Sequence, residues 1–221
     1  MGDSSLHSKP KTLWSHFKNL FKKKEAWSFE ETRFVVLDTE TTGLDPKKDK
    51  ILSIGAVSIR NNCIEVSESF ECFLMQEKFN TETVKIHGIL KEGKNSKISE
   101  LDALKAFLEY INNDVLIAHH AAFDEAIINS SLKNNYLTKF KNKTIDTGIL
   151  YKKLKDSDDK HFSLDKLCEE FNIKMHDRHT AQGDAYITAQ LFLKIVSRLK
   201  NEGNFNYSTL FYSKKFKDGL L

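Results

Sequence analysis

The sequence of 221 residues has no apolar run long enough to cross a membrane, and it has few cysteines. A transmembrane helix needs about 20 consecutive apolar residues. Cys63, Cys72 and Cys168 are odd in number and lack metal-site spacing, which favours reduced thiols in the cytosol over a secreted disulfide framework. The N-terminus also lacks the apolar segment and cleavage site of a signal peptide. These absences lead us to expect a soluble, cytoplasmic protein.

Acidic residues are missing from one stretch near the N-terminus, between Ser8 and Lys24, which holds six lysines. The overall net charge of +3 is too small to indicate nucleic acid by itself. Leucine and aromatic residues recur at helical spacing in this stretch and predict a basic amphipathic helix over 13–24, within an N-terminal extension over 1–31. The helix could pack on the domain, guide nucleic acid by its phosphates, dock a partner or lie on a membrane surface.

The remaining pattern is that of an α/β domain over 32–200, followed by a weakly periodic tail over 201–221. Apolar and β-branched runs predict strands at 33–39, 51–60, 63–74, 115–119 and 143–147. Helices are predicted near 81–89, 98–112, 122–134, 147–155, 163–171 and 180–200. Asn61 and Asn62 supply a hairpin turn between the second and third strands. A hairpin followed by strand–helix alternation indicates one mixed five-stranded sheet with helices on its faces.

Two acids end the first predicted strand, in the stretch DTETTG that begins at Asp38. Asp38 and Glu40 project to the same face because they are two residues apart on a strand. At that distance they repel each other unless a cation lies between them. The sharp Thr-Thr-Gly turn that follows exposes backbone N–H groups, which favours a functional site over two merely exposed acids at a strand end.

A third acid, Asp124, follows the strand near 115–119 in the stretch AHHAAFDEA. It falls in the first turn of the next predicted helix. An acid there can simply compensate the helix dipole, and this remains the alternative to a functional role.

The stretch RHTAQGDA contributes a fourth acid, Asp184, and a histidine, His179. Thr180 is a suitable N-cap, so Asp184 lies in the first turns of the last helix. His179 is expected on the turn before the helix, free to swing over Asp184. A solvent-exposed histidine without a functional role is the alternative.

Together these stretches predict four carboxylates and one histidine at one edge of the sheet. None of the motifs offers a matching basic group, so the acids cannot all stay ionised without divalent cations. Oxygen ligands suit hard ions such as Mg²⁺ or Mn²⁺. A pair of such ions is the arrangement used for in-line phosphoryl displacement, with a neutral histidine to deprotonate the attacking water.

At this point the sequence resembles the DEDDh family of 3′–5′ exonucleases, which includes the proofreading epsilon subunit of bacterial replicative polymerases and stand-alone relatives. The family's three motifs appear in order, as DTETTG, AHHAAFD and HTAQGD, and IHGI at 86–89 resembles its short His-Gly segment. The resemblance covers roughly residues 32–198. It implies a ribonuclease H-like fold.

The resemblance also implies a role for each matching residue. Two divalent cations would be held by Asp38, Glu40, Asp124 and Asp184, with Asp38 bridging both, and His179 would be the general base. The terminal nucleotide would be gripped or wedged by Thr41, Leu44 and Phe123. His120, which stands where the family commonly has Asn, would lie among the same substrate contacts. Asp146, in a recurring Asp-Thr pair, is expected to give structural support.

The activity implied is release of nucleoside 5′-monophosphates from the 3′ end of DNA, single-stranded or frayed, in proofreading or repair. RNA as the substrate is an alternative within the family, because nothing in the sequence reads the 2′-OH clearly. A module that binds nucleic-acid ends or a polymerase without catalysis is the alternative from another class. A DNA polymerase subunit is a possible partner.

Overall fold

The computed structural model describes residues 28–155 and 162–211. The basic helix predicted over 13–24 lies outside the described residues, as does the end of the tail. Among the described residues, no helix combines the length and the apolar character needed to cross a bilayer.

A mixed sheet of six strands forms the centre of the molecule, in the order β4-β3-β2-β1-β5-β6. Its strands are β1 (Phe34–Thr41), β2 (Ile51–Arg60), β3 (Cys63–Leu74), β4 (Lys97–Ile98), β5 (Val115–Ala118) and β6 (Thr144–Asp146). β1 runs antiparallel to β2 and parallel to β5. The five predicted strands are confirmed, but the strand count was one too low. The missed strand, β4, has two residues and exists through its pairing with Phe73 and Leu74, so it leaves no periodic pattern in the sequence.

The six helices predicted between residues 81 and 200 are all present, with ends shifted by at most a few residues. They are α1 (Thr81–His87), α2 (Glu100–Ile111), α3 (Ala121–Asn134), α4 (Thr147–Lys155), α5 (Leu164–Glu170) and α6 (Ala181–Asn201), followed by a 3₁₀ turn at Tyr207–Phe211. Ser99 accepts a hydrogen bond from the backbone N–H of Asp102, and Thr180 accepts one from that of Gly183. These two side chains are N-caps, which explains why both helices begin where the sequence predicts.

The hairpin turn between β2 and β3 confirms the prediction at Asn61 and Asn62. Their φ angles are 51° and 60°, the left-handed conformation that a two-residue hairpin turn requires and that asparagine tolerates well. The turn pairs Arg60 with Cys63 and so sets the start of the hairpin's register.

Alternation along β1 divides the core between the two faces of the sheet. Phe34 and Val36 pack in a cluster that includes the apolar side of α6, whereas Val35 and Leu37 pack in a second cluster with α2 and α3. Within α6, the stretch 190–194 supplies buried Leu191 and Phe192 to the core.

Residues from both predicted flanking segments also reach the core. Phe29 is 3% exposed and its ring centroid lies 5.1 Å from that of Phe34. Phe205 packs against Phe29 edge to face, with ring centroids 5.4 Å apart. An aromatic cluster at the start of β1 therefore combines residues from both sides of the predicted boundaries at 31 and 200.

Candidate active site

Three carboxylates meet at the carboxyl end of β1. One oxygen each from Asp38, Glu40 and Asp184 lies within 4.8 Å of the others. Asp38 and Glu40 share one face of β1, as their spacing predicts, and Asp184 comes from the first turn of α6. We call these three residues the acid triangle.

Asp184 reaches the triangle because the sequence fixes the start of α6 closely. Its backbone N–H donates to the carbonyl of Thr180, while Gly183 N–H donates to the Thr180 hydroxyl. Asp184 is 4% exposed, so its carboxylate is held away from bulk water.

Gly55 of β2 lies opposite Asp38 in the β1–β2 register. Because Gly55 has no side chain, the first turn of α6 can pack directly on the sheet beside Asp38. A Cβ at this position would lie 2.2 Å from the backbone nitrogen of Gln182 and 2.3 Å from the carbonyl carbon of Ala181. Both neighbours are backbone atoms, so no side chain can be accommodated without moving the helix. Gly55 is not among the predicted site residues, although a glycine inside a strand signals a close backbone approach.

Asp124 is the fourth predicted acid, and the structure places it beside the triangle and not within it. The residue is buried, and its carboxylate accepts a hydrogen bond of 2.7 Å from the hydroxyl of Thr39. Thr39 points to the opposite face of β1 from Asp38 and Glu40. Asp124 therefore approaches from the α3 side of the sheet while Asp184 approaches from the α6 side, with Asp38 between them.

The pKa values of all four acids are raised. Burial is the largest cause for Asp38, whose pKa lies well above its usual value, and repulsion by Asp124, Asp184 and Glu40 adds to it. Burial followed by the charge of Asp184 raises the pKa of Glu40 to about 8. Burial raises the pKa of Asp124 to about 7 against the effect of the Thr39 hydrogen bond, and burial also raises the pKa of Asp184. The cluster is therefore a site where protons or cations must supply positive charge.

A basic residue does lie at these acids, contrary to the expectation from the motifs. Arg178 pairs with Asp184 through Nη1 and with Asp165 of α5 through Nε at 2.8 Å. Its charge lowers the pKa of Asp38 and of Glu40 against the larger effect of burial. The residue is adjacent to His179 in the sequence, but only the folded loop shows that its side chain turns towards the acids.

His179 lies on the turn before α6, as predicted, with a left-handed φ of 66°. Its backbone N–H faces Asp184, at 3.3 Å from Oδ2. Ring atom Nδ1 of His179 lies 3.2 Å from Nη1 of Arg178. The structure thus brings the backbone N–H of His179 to Asp184, and the ring contacts the arginine that pairs with the same acid.

The loop after β1 is held by Asp49, which accepts hydrogen bonds from the hydroxyl of Thr42 and the backbone N–H of Asp45. A Cβ on Gly43 would lie 2.5 Å from an oxygen of Asp49, so glycine permits this closure. The closed loop leaves Leu44 86% exposed, an unusual state for a leucine.

The other predicted substrate residues are spread around this loop and α3. Thr41 is buried and donates to the carbonyl of Gly43 at 2.8 Å. Phe123 is half-buried against the core, and His120 is exposed in a left-handed conformation just before α3. No contact in the structure tests their predicted substrate roles.

Asp146 makes the contacts of a structural support. Its carboxylate accepts from the backbone N–H of Ala121 at 2.9 Å and from that of Gly148 at 2.8 Å. It therefore caps the start of α3, whose own N-cap residue makes no side-chain hydrogen bond, and the start of α4.

A cavity of about 520 Å³ lies on the α6 face of β2 and β3. Ser53, which lies opposite Glu40 in the strand register, lines it together with His87 and Gln182. Ser53 Oγ, His87 Nε2 and Gln182 Oε1 are buried without a hydrogen-bond partner among the described residues. His87 Nδ1 accepts from the backbone N–H of Ile89, so a neutral His87 carries its hydrogen on Nε2 and directs a donor into the cavity. Ser53 and Gln182 are not among the predicted site residues.

Known proteins with similar sequences include exonucleases and DNA polymerases. Residues 35–192 match the sequence model of the exonuclease family RNase T. The chain is 36% identical over 176 residues to the PolC-type DNA polymerase III of Thermotoga petrophila, covering 80% of this chain and 13% of the polymerase. It is 32% identical over 176 residues to that of Bacillus subtilis, covering 79% of this chain and 12% of the polymerase. The chain thus spans a small part of the length of these relatives.

Solved structures show the same fold at lower sequence identity. E. coli Exonuclease I in complex with a dT13 oligonucleotide is similar with a TM-score of 0.68 and 16% identity, over 79% of this chain and 43% of that one. Exonuclease X in complex with 5′ overhanging duplex DNA is similar with a TM-score of 0.62 and 21% identity, over 80% of this chain and 97% of that one. Because the family model matches most of the chain, this chain belongs to the RNase T exonuclease family.

Proposed function

We propose that this protein is a metal-dependent 3′–5′ exonuclease that releases nucleoside 5′-monophosphates from the 3′ end of DNA. The observation that carries the proposal is the acid triangle of Asp38, Glu40 and Asp184, with Asp124 beside it, at the carboxyl end of β1. Residues 32–200 form the catalytic domain of this proposal.

The donor set fits divalent cations, since it consists of carboxylate oxygens of the kind that hard ions prefer. Asp38, Glu40 and Asp184 would hold one Mg²⁺ or Mn²⁺, and Asp38 with Asp124 a second. Cations bound there would neutralise the acids and stabilise charge on the attacking and leaving oxygens of the phosphodiester.

The chain's own residues supply positioning and proton transfer. In this proposal Leu44, exposed on its closed loop, wedges against the terminal base, and Thr41, Phe123 and His120 contact the terminal nucleotide. His179 takes a proton from the attacking water at a ring nitrogen. Ser53, His87 and Gln182 offer unpartnered polar groups beside Glu40 that suit a nucleotide.

DNA is favoured as the substrate, because the relatives with more than 30% identity are DNA polymerases and the similar structures include DNA complexes. In those relatives the matching segment is one part of a polymerase chain, which supports a DNA polymerase as a partner. Matched DNA and RNA oligomers, each labelled at the 5′ end, test this preference. Faster shortening of the RNA would overturn it.

Asp38→Asn tests the proposed chemistry directly. We expect at least about a 10³-fold loss of Mg²⁺-dependent digestion of single-stranded DNA, because the residue contributes to both cation sites. Glu169→Gln, at an exposed acid of α5, is the matched control and should digest as the wild type does. Mismatched and fully paired duplexes in the same assay measure the preference for frayed ends. Unchanged digestion by Asp38→Asn would refute the assignment.

A further inference from the structure

Arg178 contacts three groups at the edge of the acid triangle. Its Nε lies 2.8 Å from Asp165 Oδ1, and its Nη1 pairs with Asp184 Oδ2. The same Nη1 lies 3.2 Å from His179 Nδ1. One guanidinium therefore joins an outer acid, an inner acid and the proposed general base.

The two carboxylates that share Arg178 differ in their exposure to solvent. The side chain of Asp184 is 6% exposed, whereas that of Asp165 is 50% exposed and that of Arg178 is 23% exposed. The positive charge of Arg178 also stabilises the ionised forms of Asp38 and Glu40. Arg178 thus supplies the triangle with part of the positive charge that a divalent cation would bring.

We propose that Arg178 is an internal counter-ion that holds Asp184 in the absence of a divalent cation and is displaced towards Asp165 when a cation binds. This inference rests on the proposed function, because it concerns the same acids. Asp184 carries one negative charge, so it cannot bind a cation and pair with the guanidinium of Arg178 with full strength at the same time. Cation affinity is therefore set by competition with Arg178.

The contact with His179 extends this competition to the proposed base. A guanidinium only donates hydrogen bonds, so the contact with Arg178 makes Nδ1 of His179 the acceptor. A neutral ring in that contact carries its hydrogen on Nε2 and has no free lone pair to take a proton from water. Movement of Arg178 to Asp165 releases Nδ1. Cation binding and the ability of His179 to accept a proton are then coupled through the side chain of Arg178.

A purely structural bridge between α5 and the loop before α6 would explain the same contacts, so the test must separate the two roles. Competition predicts opposite effects from the two ends of the bridge. Removing Arg178 removes the competitor and should strengthen cation binding. Removing the charge of Asp165 leaves Arg178 with Asp184 as its carboxylate partner and should weaken cation binding. A structural bridge predicts that both changes act in the same direction.

The experiment is calorimetric titration of the full chain with Mn²⁺, without nucleic acid. We expect Arg178→Gln to lower the Kd about tenfold, as loss of a nearby positive charge requires. Asp165→Asn should raise it about threefold, since the pair it breaks is half exposed. Arg198→Gln removes an arginine of α6 that pairs with Glu170 at 2.9 Å, and it should leave the Kd unchanged.

Arg178→Lys provides a second variant if the glutamine form fails to fold. It keeps the charge but cannot engage both carboxylates with a planar fork, so its Kd should fall between those of the wild type and Arg178→Gln. An unchanged or raised Kd in the folded Arg178 variant would overturn the inference, as would shifts of the same sign at Arg178 and Asp165. A wild type that binds Mn²⁺ without digesting DNA would refute the proposed function alone, whereas one that binds no Mn²⁺ would refute both.

Discussion

Two helices deliver an acid to Asp38 from opposite faces of the sheet, and they do so by different means. α6 begins at its own N-cap, Thr180, and brings Asp184 into contact with Arg178. α3 begins after His120, which provides no side-chain cap, and brings Asp124 to the hydroxyl of Thr39. The start of α6 is encoded in adjacent residues, whereas the start of α3 depends on an acid from β6.

The partners of the two acids also differ in charge. Asp184 has a cationic partner in Arg178, which opposes the rise of its pKa caused by burial. Asp124 has a neutral hydroxyl as its partner, and burial raises its pKa to about 7. The α6 side therefore carries its own positive charge, and the α3 side must obtain it from solvent protons or a bound cation.

The largest expected effect on the free energy of unfolding concerns the packing of α6 against the sheet. Gly55→Val places side-chain carbons where the backbone of Ala181 and Gln182 lies, so the helix must move. We expect a loss of about 3 kcal/mol or more in the free energy of unfolding, with loss of nuclease activity. Urea unfolding followed by circular dichroism measures the first quantity.

Gly93→Ala is the matched control for this substitution. A Cβ there would have its nearest neighbour at 3.5 Å, an ordinary contact, and no measurable destabilisation is expected. Equal stability of Gly55→Val and the wild type would mean that α6 is not seated through this glycine.

The next effect compares the two helix caps. Asp146→Ala removes the acceptor of Ala121 N–H and Gly148 N–H and should cost about 2 to 3 kcal/mol of unfolding free energy. Thr180→Ala removes one cap bond and should cost about 1 kcal/mol. Chemical denaturation of both variants measures the ratio. Asp146→Asn, which keeps one oxygen acceptor, should recover part of the loss, and a larger loss at Thr180 would reverse the comparison.

A smaller expected effect on the free energy of unfolding depends on pH and comes from the histidine just before α3. His119, just before α3, donates from Nε2 to the carbonyl of Phe162 at 2.8 Å, while its Nδ1 lies 2.9 Å from the hydroxyl of Thr147. Burial, followed by the charge of His120, lowers the pKa of His119 to about 4. The unfolded chain binds the proton of His119 at a higher pH than the folded chain does, so the contribution of His119 to stability is fully present above pH 6.5 and is lost as the pH drops towards 4.

Between pH 7.5 and pH 5, the titration of His119 is expected to contribute a loss of about 2 kcal/mol of unfolding free energy, read as the difference between the pH dependences of the wild type and His119→Gln. Urea titrations of the wild type and His119→Gln at the two pH values measure it. The variant lacks the titrating ring and should lose correspondingly less on acidification. An equal pH dependence in both proteins would show that His119 does not contribute.

Local patterns were sufficient for most of the fold. Asn61 and Asn62 predicted their hairpin because both tolerate the left-handed conformation that the turn needs, and Ser99 and Thr180 predicted two helix starts because their hydroxyls cap the next turn. The short strand β4 could not be predicted in this way. It is held by backbone pairing with β3, and two residues carry no periodicity.

Local patterns in the sequence identify the acids of the triangle, since the alternation of β1 puts Asp38 and Glu40 on one face and the cap at Thr180 puts Asp184 in the first turn of α6. Tertiary structure alone decided that Arg178 turns inward to Asp184 and that Gly55 seats the helix above Asp38. The reason is physical: periodicity and capping act over a few neighbouring residues, whereas close backbone approach and the pairing of buried charges depend on which segments the folded chain brings together.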